Sequence, residues 1–408
     1  MCPVPGWSNQ RYCGQLVFAF GNHRIANARD NPDPDAGAGI SVIAVAHASS
    51  SRTNTADDGK SQSATPVEPT PIIQPAPPTP GATAPVAAVI QIYRPEAPAY
   101  AVVPLAAHQL ALTSLGTFHE RQGEQASLSG NGVVSAIWGR VFGQKLDQKW
   151  GGTVSPAFDG TQGGFQLGVD LFGKTSDGGK GDHFGVFAGR AWMTGDIRGF
   201  ALGWNNLTVG RLKLNGTSVG GYWTHVGPGG WYIDAVAMGS WYGGSSLSSR
   251  GVGIDTDGKS VTLSLESGYP INLAPGLTFE PQAQIIWQRM MLDNTNDAFS
   301  TVDFSTTSAF TGRIGGRLLT SAHIGATLLQ PYFKMNLWRD FNAQDSILFG
   351  GSDAVVTQRA ATAVELGGGL GVQFNSSVSL NATGGYSTAF DHNKREGFQG
   401  TIGFRVAW

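Results

Sequence analysis

The chain ends in the stretch QGTIGFRVAW, residues 399–408, which alternates between two kinds of side chain without exception. One face carries Gly400, Ile402, Phe404, Val406 and Trp408, and the other carries Gln399, Thr401, Gly403, Arg405 and Ala407. Because successive side chains of a β-strand point to opposite faces of the sheet, this stretch predicts a strand with one apolar face and one more polar face. Such a strand suits either a soluble sandwich or a barrel in a lipid bilayer, so the rest of the sequence has to decide.

The composition favours the bilayer. The 408 residues include 58 glycines and 11 tryptophans, but only 14% are charged, which is few for a surface solvated by water. The sequence has no run of 18 apolar residues, which excludes a transmembrane helix, whereas the alternation of barrel strands averages to a mean hydropathy near zero. A net charge of -2 gives no argument for a nucleic-acid partner.

The sequence predicts no catalytic, cofactor or metal site and therefore no enzyme. Cys2 and Cys13 are the only cysteines, and the eight histidines are scattered without the spacing of metal ligands. A main body without thiols suits the oxidising cell envelope, where the two cysteines are either incidental or joined in a small disulfide loop.

The N-terminal third divides into three segments. Residues 1–64 are polar and aperiodic, which predicts disorder, and residues 65–98 form a proline-rich linker of extended, polyproline-like chain. Residues 104–121 predict one helix of roughly 27 Å, with Pro104 in its first turn. Its apolar contacts come from Leu105, Leu112, Leu115 and Phe118, whereas its histidines, glutamine and glutamate suit only a wet pore.

Residues 133–408 contain about twelve alternating segments, which predict an antiparallel transmembrane β-barrel with the helix in its pore. Trp231 and Trp241 share a face on one predicted strand, and ten residues of tilted strand span roughly 25 Å, the separation expected for two aromatic girdles. The alternative is that parity brings these two tryptophans together by coincidence.

The predicted connections between the strands alternate in length. Long connections are predicted at 145–159, 194–207, 243–257, 292–305, 340–360 and 389–397, with shorter ones between them. Short periplasmic turns and long external loops are typical of outer-membrane barrels. An even number of strands places both barrel termini on the periplasmic side, so the chain before Pro104 is expected to emerge at the cell surface.

The order of several motifs resembles the type V autotransporter translocator of the pertactin-like group, over roughly residues 90–408. The resemblance rests on IYRPEAPAY (92–100), LAAHQL (105–110), LGTFHER (115–121), WGRVF (138–142), GFQLGVDL (164–171), GGYWT (220–224), GWYID (230–234) and the final GFRVAW. It implies an outer-membrane translocator that exports or displays its N-terminal passenger. It also implies that Phe404, Val406 and Trp408 form a C-terminal assembly signal read by the barrel assembly machinery.

The resemblance further implies periplasmic chaperones and outer-membrane lipid as partners, and we expect a monomeric barrel. Residues 1–64 lack the repeats of a β-helical passenger, so at most a remnant passenger is expected. The predicted pore helix has no asparagine, and Asn205-Asn206 lies in a predicted external loop, so self-cleavage at an Asn-Asn pair is not expected. With no signal peptide in view, an exported chain would begin further upstream.

Parity places ten ionisable residues on the inward faces of the strands. They are Arg140, Asp170, Asp234, Glu266, Glu280, Arg313, Arg317, Lys334, Glu365 and Arg405. A water-filled lumen that contains a helix needs such a lining for salt links and hydrogen bonds. Two other functions remain open: a passive pore whose selectivity is set by Arg140, Arg313 and Arg317, and a surface adhesin or rim protease that acts through external loops.

Overall fold

The computed structural model describes residues 91–408 except 125–127, 129–131, 134, 177–179, 342–343 and 392. The predictions for residues 1–64 and for the linker up to residue 90 lie outside the described residues.

Twelve long strands close into an antiparallel barrel. They are β1 (Ala136–Lys149), β2 (Ala157–Ser176), β3 (Lys180–Ala201), β4 (Trp204–Val226), β5 (Tyr232–Ser248), β6 (Gly253–Gly268), β7 (Leu277–Leu292), β8 (Ala309–Thr320), β9 (Thr327–Asp340), β10 (Ala361–Gln373), β11 (Val378–Ala389) and β12 (Lys394–Ala407). Each strand pairs with the next, and β12 pairs with β1 from Lys149↔Lys394 to Ala136↔Ala407. The predicted fold, a barrel of about twelve strands, is confirmed.

The two faces of the wall differ as the alternation predicts. On the outside, Leu167, Leu263 and Ile285 are exposed by 52%, 45% and 52%, whereas the inward Gln166 and Gln284 are buried. Hydrocarbon on the outer surface and hydrogen-bonding groups in the lumen are the arrangement that a lipid solvent requires. The core of this fold is therefore the lumen and its contents.

A charge placed on the outer surface should therefore cost most at mid-height. We expect Ile285→Arg to lower the free energy of unfolding in lipid by about 2–4 kcal/mol, because the guanidinium would lie near the bilayer midplane. Leu247→Arg, near the far end of β5, should cost about 1 kcal/mol or less. Urea titrations of protein in lipid vesicles measure both values, and equal costs would contradict the assignment of the lipid belt.

The two ends of the barrel differ, and we name them by their connections. The turn end carries the start of β1 at Ala136, the end of β12 at Ala407 and connections such as 227–231 and 374–377. The loop end carries the connections 150–156, 293–308 and 341–360. Three predicted long loops at this end, 194–207, 243–257 and 389–397, are wrong. Only four residues separate the end of β11 at Ala389 from the start of β12 at Lys394. The β3–β4 hairpin turns at residues 202–203, and the β5–β6 hairpin turns at 249–252.

The strands β3 and β4, 22 and 23 residues long, explain this difference. Their polar ends have the composition of a loop, but a strand pair keeps its backbone hydrogen bonds after it leaves the bilayer, where both faces are wet. The pairing continues to Ala201↔Trp204. Asn205-Asn206 therefore lies at the tip of this hairpin, at the start of β4.

Eight short strands complete the set of described strands. Five form a separate loop sheet at the loop end: Gly151–Gly152, Thr295–Asn296, Thr301–Ser305, Gln344–Phe349 and Asp353–Gln358. The other three, Gly132–Val133, Ile271–Ala274 and Ala322–Ile324, pair with β2, β7 and β9.

Two helices lie inside the barrel, α1 (Glu96–Leu115) and α2 (Phe118–Gln122). The prediction of a single helix over residues 104–121 is wrong in two respects. The first helix begins earlier, at Glu96, and a break at Gly116 separates it from the second helix. Pro104 lies in the helix interior rather than in the first turn. Nearly all of α1 is buried in the lumen. The packing of the helix offsets the unfavourable helix propensity of a proline in its interior. Neither described helix is long and apolar enough to cross a membrane.

Candidate functional site: a helix bound inside the barrel

The chain enters the lumen beside the β3–β4 hairpin. The backbone N–H of Leu202 donates to the Tyr93 carbonyl at 2.8 Å, and the ring of Tyr93 meets that of Phe200 edge-on at 6.1 Å. Gln91 and Ile92 are exposed. The segment that precedes α1 therefore leaves the lumen at the loop end.

The first turn of α1 is fixed by ion pairs to the loops. Arg94 lies 2.8 Å from Asp297, and the Glu96 carboxylate, buried at the helix N-terminus, accepts from Arg250 at 2.7 Å. A carboxylate in the first turn also interacts favourably with the helix dipole. Tyr100 stacks on Phe349 of the loop sheet at 6.1 Å. The loop sheet and the helix thus close the loop end together.

The loop sheet contains a buried ion pair of its own, Asp345 and Arg359, with Nη1 3.0 Å from Oδ2. Burial raises the pKa of the Asp345 carboxyl above its ordinary value, because the one nearby cation does not offset desolvation. Burial likewise lowers the pKa of Arg359.

This pair should not stabilise the protein at neutral pH. A raised folded-state pKa means that Asp345 favours the folded state below its unfolded pKa and loses that contribution as pH rises through the folded pKa. We expect the double variant Asp345→Leu, Arg359→Met to raise the free energy of unfolding at pH 7 by up to about 1 kcal/mol. The gain should be smaller near pH 4, where Asp345 is protonated more readily in the folded wild type. Heat-induced gel shifts at both pH values measure it, and a large loss at pH 7 would contradict this account.

The middle of α1 contacts amide side chains of the wall. Gln109 donates to Gln144 at 3.4 Å, Gln162 donates to the Thr113 hydroxyl at 2.5 Å, and His108 lies 3.4 Å from Gln288. These contacts are neutral, so each contributes only about 1 kcal/mol. They hold the helix in register without a strong charge at mid-membrane.

Wall residues cap the C-terminus of α1. Arg140 donates to the carbonyls of Thr113 at 3.2 Å and Ser114 at 2.6 Å, and Gln166 donates to Ser114 at 2.6 Å. A cation at this end also complements the negative end of the helix dipole. Gly116 follows with φ +65°, and a Cβ there would lie 2.3 Å from Nη1 of Arg140. The positive φ favours glycine here, and a Cβ would displace the Arg140 guanidinium from the cap.

α2 begins with a cap shared between helix and wall. The Thr117 hydroxyl accepts from the Glu120 N–H and the Glu120 carboxylate accepts from the Thr117 N–H, which is a capping box. The Phe118 N–H donates to Glu266 of β6 at 2.9 Å, and the ring of Phe118 stacks on Tyr232 at 4.3 Å.

Pairs of ionisable side chains surround the C-terminal end of the plug. By the plug we mean α1, α2 and the residues from Gly116 to Glu124. The pairs are His119 with Glu280 at 2.8 Å, Glu120 with Lys334 at 3.4 Å, Arg121 with Asp234, and Glu124 with Arg317. Each wall residue lies on a different strand, β7, β9, β5 and β8. These four contacts tie the plug to one arc of the barrel, from β5 to β9. Arg140 of β1 and Arg405 of β12 hold it from the opposite side, which resists tilting or sliding.

All ten inward ionisable residues named from the sequence are buried in the lumen, at 7% exposure or less. Arg140, Asp234, Glu266, Glu280, Arg317 and Lys334 contact the plug. Arg313 pairs with Glu266 and Lys334 with Glu365, both at 2.8 Å. Arg405 of β12 pairs with Asp170 of β2 and donates to Gln122 at 2.6 Å, which links the last strand, the plug and the second strand.

The charged residues of the plug that pair with the wall were not identified from the sequence. Arg121 and Glu124 were not named from the sequence, although four ionisable residues in the six positions 119–124 are an unusual density in this chain. Among the predicted apolar contacts, Leu105, Leu115 and Phe118 are buried and Leu112 is half-buried.

The two girdle tryptophans do not share a strand. Trp241 lies on β5 with 56% exposure, but β5 begins at Tyr232, and Trp231 lies in the turn before it. The Trp231 ring packs on His225 at 5.2 Å, and its carbonyl accepts from Gly227 at 2.8 Å. This tight turn, rather than the strand pairing, sets the position of Trp231.

The C-terminal residues face outward. Phe404 and Trp408 are exposed by 40% and 68%, Val406 is half-buried, and the Trp408 N–H donates to the Ser135 carbonyl at 2.9 Å. Among the described residues, no group of three or more His, Cys, Asp or Glu side chains is placed to hold a metal ion.

A closed barrel with a tethered helix in its lumen invites comparison with known proteins. A family model described as the autotransporter beta-domain matches residues 137–385. The chain belongs to this family. The resemblance found in the sequence is thereby confirmed, and the barrel is an outer-membrane domain.

The curated relatives include autotransporters that are longer than this chain. It is 28% identical over 266 residues to the pertactin autotransporter of Bordetella parapertussis, which covers 63% of this chain and 27% of that protein. It is 26% identical over 348 residues to the uncharacterized protein YdeU of Escherichia coli, covering 78% and 70%. The chain thus spans about a quarter of the pertactin relative.

Solved structures share the fold. The transport unit of the autotransporter AIDA-I from Escherichia coli aligns with a TM-score of 0.60 and 16% identity, over 77% of this chain and 99% of that one. The beta domain of the Bordetella autotransporter BrkA aligns with a TM-score of 0.51 and 21% identity, over 67% and 100%.

Proposed function

We propose that this chain is the outer-membrane translocator unit of an autotransporter, which carries its N-terminal segment to the cell surface. The observation that supports it most is the path of the chain: residues 91–95 leave the lumen at the loop end, beside Leu202 and Phe200. Both barrel termini lie at the opposite end. If the turn end faces the periplasm, everything before Gln91 has crossed the membrane.

The bound plug favours this proposal over a passive pore. Arg121 with Asp234 and Glu124 with Arg317 are buried charge pairs between α2 and its following residues and the wall, and leaving one partner of either pair unpaired costs several kcal/mol. A selectivity filter needs Arg140, Arg313 and Arg317 to face passing ions, but all three are in contact with protein groups. The plug therefore closes the route after transport.

Surface display of the N-terminal segment can be tested in cells. The full chain, with an epitope tag at its N-terminus and behind a signal peptide, would be produced in a Gram-negative host. External protease should remove the tag in intact cells while the barrel still migrates as a heat-modifiable band. A folded barrel with a tag that stays protected until the outer membrane is permeabilised would contradict export.

We also propose that the chain is inserted as a monomer by the barrel assembly machinery, with help from periplasmic chaperones, and that Phe404, Val406 and Trp408 form the assembly signal. The exposed, outward position of the two aromatic rings supports this.

Loss of the last ring should impair assembly more than its replacement. We expect deletion of Trp408 to lower the amount of heat-modifiable barrel in the outer membrane several-fold, because the terminal aromatic contact and the hydrogen bond to Ser135 are lost together. Trp408→Phe should assemble at the wild-type level or above. Quantitative gels of outer-membrane fractions measure this, and equal yields for the deletion and wild type would contradict the signal.

A further inference from the structure

One row of outward side chains on the lipid face of the barrel is cationic rather than apolar. The row follows the strand register across β3 to β7: Arg190↔Thr217, Thr217↔Trp241, Trp241↔Lys259 and Lys259↔Met291, with Arg289 paired to Val261 beside it. We call Arg190, Thr217, Trp241, Lys259 and Arg289 the cationic strip. All five are exposed.

The strip marks an edge of the hydrocarbon belt. On its turn side the next outward residues are Ala188, Val219, Gly239, Val261 and Trp287, none of which is charged. From Tyr232 at the turn end to Trp241, a tilted strand rises roughly 23 Å, close to the height of the apolar band of such barrels. Trp241, Lys259 and Arg289 therefore lie at the level of the lipid headgroups on the loop side. Because the strands are tilted, Arg190 lies lower, and its long side chain has to extend upward to reach that level.

Among the described residues, the cations of the strip form no salt bridge. Within the part of the chain that the structure describes, no carboxylate lies in salt-bridge contact with Arg190, Lys259 or Arg289. Other exposed cations do pair, such as Arg211 with Asp196 at 2.9 Å and Lys394 with Asp147 at 2.7 Å. The outward acids Asp255 and Asp257 lie beyond Lys259, toward the loop end. In the part of the chain that the structure describes, the three cations therefore lie outside any salt bridge, and the nearest outward acid along β6 is Asp257, two positions from Lys259.

We propose that the cationic strip binds the phosphate groups of phosphorylated lipid headgroups in the surrounding leaflet. Lys259 and Arg289 are diagonal neighbours on adjacent strands, which places their charged ends within reach of one phosphate. Trp241 beside Lys259 supplies an aromatic ring of the kind that settles at the headgroup level, and Thr217 supplies a hydroxyl donor. Arg190, on the far side of Thr217, can contact a second phosphate of the same or a neighbouring headgroup. The inference requires only the membrane-embedded barrel and is independent of the proposed export.

Native mass spectrometry of the full chain in detergent tests the proposal, with phosphatidic acid as the phosphomonoester probe and phosphatidylcholine as the reference lipid. We expect the wild type to prefer phosphatidic acid, and the double variant Lys259→Gln, Arg289→Gln to bind it at least about tenfold more weakly. The matched control is Lys145→Gln, Lys149→Gln, which removes two exposed outward cations of β1 and should keep the wild-type affinity.

Heat-modifiable migration identifies folded protein in each sample, and Lys259→Gln alone serves if the double variant does not fold. Equal losses in the strip and control variants would overturn the proposal in favour of general surface charge. An unchanged affinity in the strip variant would overturn it outright. Displacement of the lipid by an equal concentration of inorganic phosphate would also overturn it, because the strip would then recognise free phosphate rather than a headgroup.

Discussion

Deletion of residues 96–122 should raise the single-channel conductance of the purified barrel by at least about tenfold. The two helices fill the lumen, and the wall behind them is lined with charged and amide groups that water can solvate once the helices are gone. Twelve strands enclose a lumen wider than the eight-stranded barrels that side chains alone can fill. Recordings in planar bilayers measure the change.

The matched control is deletion of residues 1–90, which removes a longer segment but leaves the plug. Its conductance should equal that of the full chain. Similar conductance for the full chain and for the deletion of 96–122 would contradict a bound plug and would favour the passive pore.

Loss of the Arg121–Asp234 pair should be the most damaging single change in the plug. Arg121→Ala leaves the Asp234 carboxylate, at 0% exposure, with only the Thr224 hydroxyl at 2.6 Å. An unpaired buried charge costs about 3–5 kcal/mol, so we expect the free energy of unfolding in lipid to fall by that amount. The same variant should conduct in bursts, because a loosened α2 uncovers the turn end.

Two further variants make this prediction specific. The reversed pair Arg121→Asp, Asp234→Arg should recover most of the lost stability, since it restores a charge pair at the same position. Arg211→Ala breaks an ion pair whose side chains are 63% and 55% exposed, and it should cost about 1 kcal/mol or less. Equal losses for Arg121→Ala and Arg211→Ala would show that the plug pair contributes nothing beyond a surface contact.

The strands were predictable because both of their faces leave a signal in the sequence, one apolar and one polar. Each strand of the wall must present hydrocarbon outward and hydrogen-bonding groups inward. The polarity of Phe165 and Gln166 therefore predicts which of them faces the lipid and which faces the lumen, without knowledge of the neighbouring strands. The inward charges could be named for the same reason. The ends of the strands could not be predicted in this way. The polar tips of β3 and β4 face water on both sides, so they lack the alternation that marks a strand within the bilayer.

The plug was less predictable because its structure depends on contacts distant in sequence. Helix propensity places Pro104 near a helix start, but the packing of residues 96–103 against the barrel extends α1 by more than two turns. The break at Gly116 is stabilised by Arg140, 24 positions later, whose guanidinium donates to the carbonyls of Thr113 and Ser114 at the end of α1. Sequence patterns specify which residues carry charge, whereas the pairing of Arg121 with Asp234 requires the closed barrel.

The central claim is that the segment before α1 leaves the barrel at the cell surface. Single cysteines in a background without Cys2 and Cys13 test it directly, with Gln91→Cys at the exposed start of the plug segment and Ser376→Cys in the exposed β10–β11 turn. A membrane-impermeant maleimide should label Gln91→Cys in intact cells and should label Ser376→Cys only after the outer membrane is permeabilised. Labelling of Ser376→Cys in intact cells, with Gln91→Cys protected, would contradict the account.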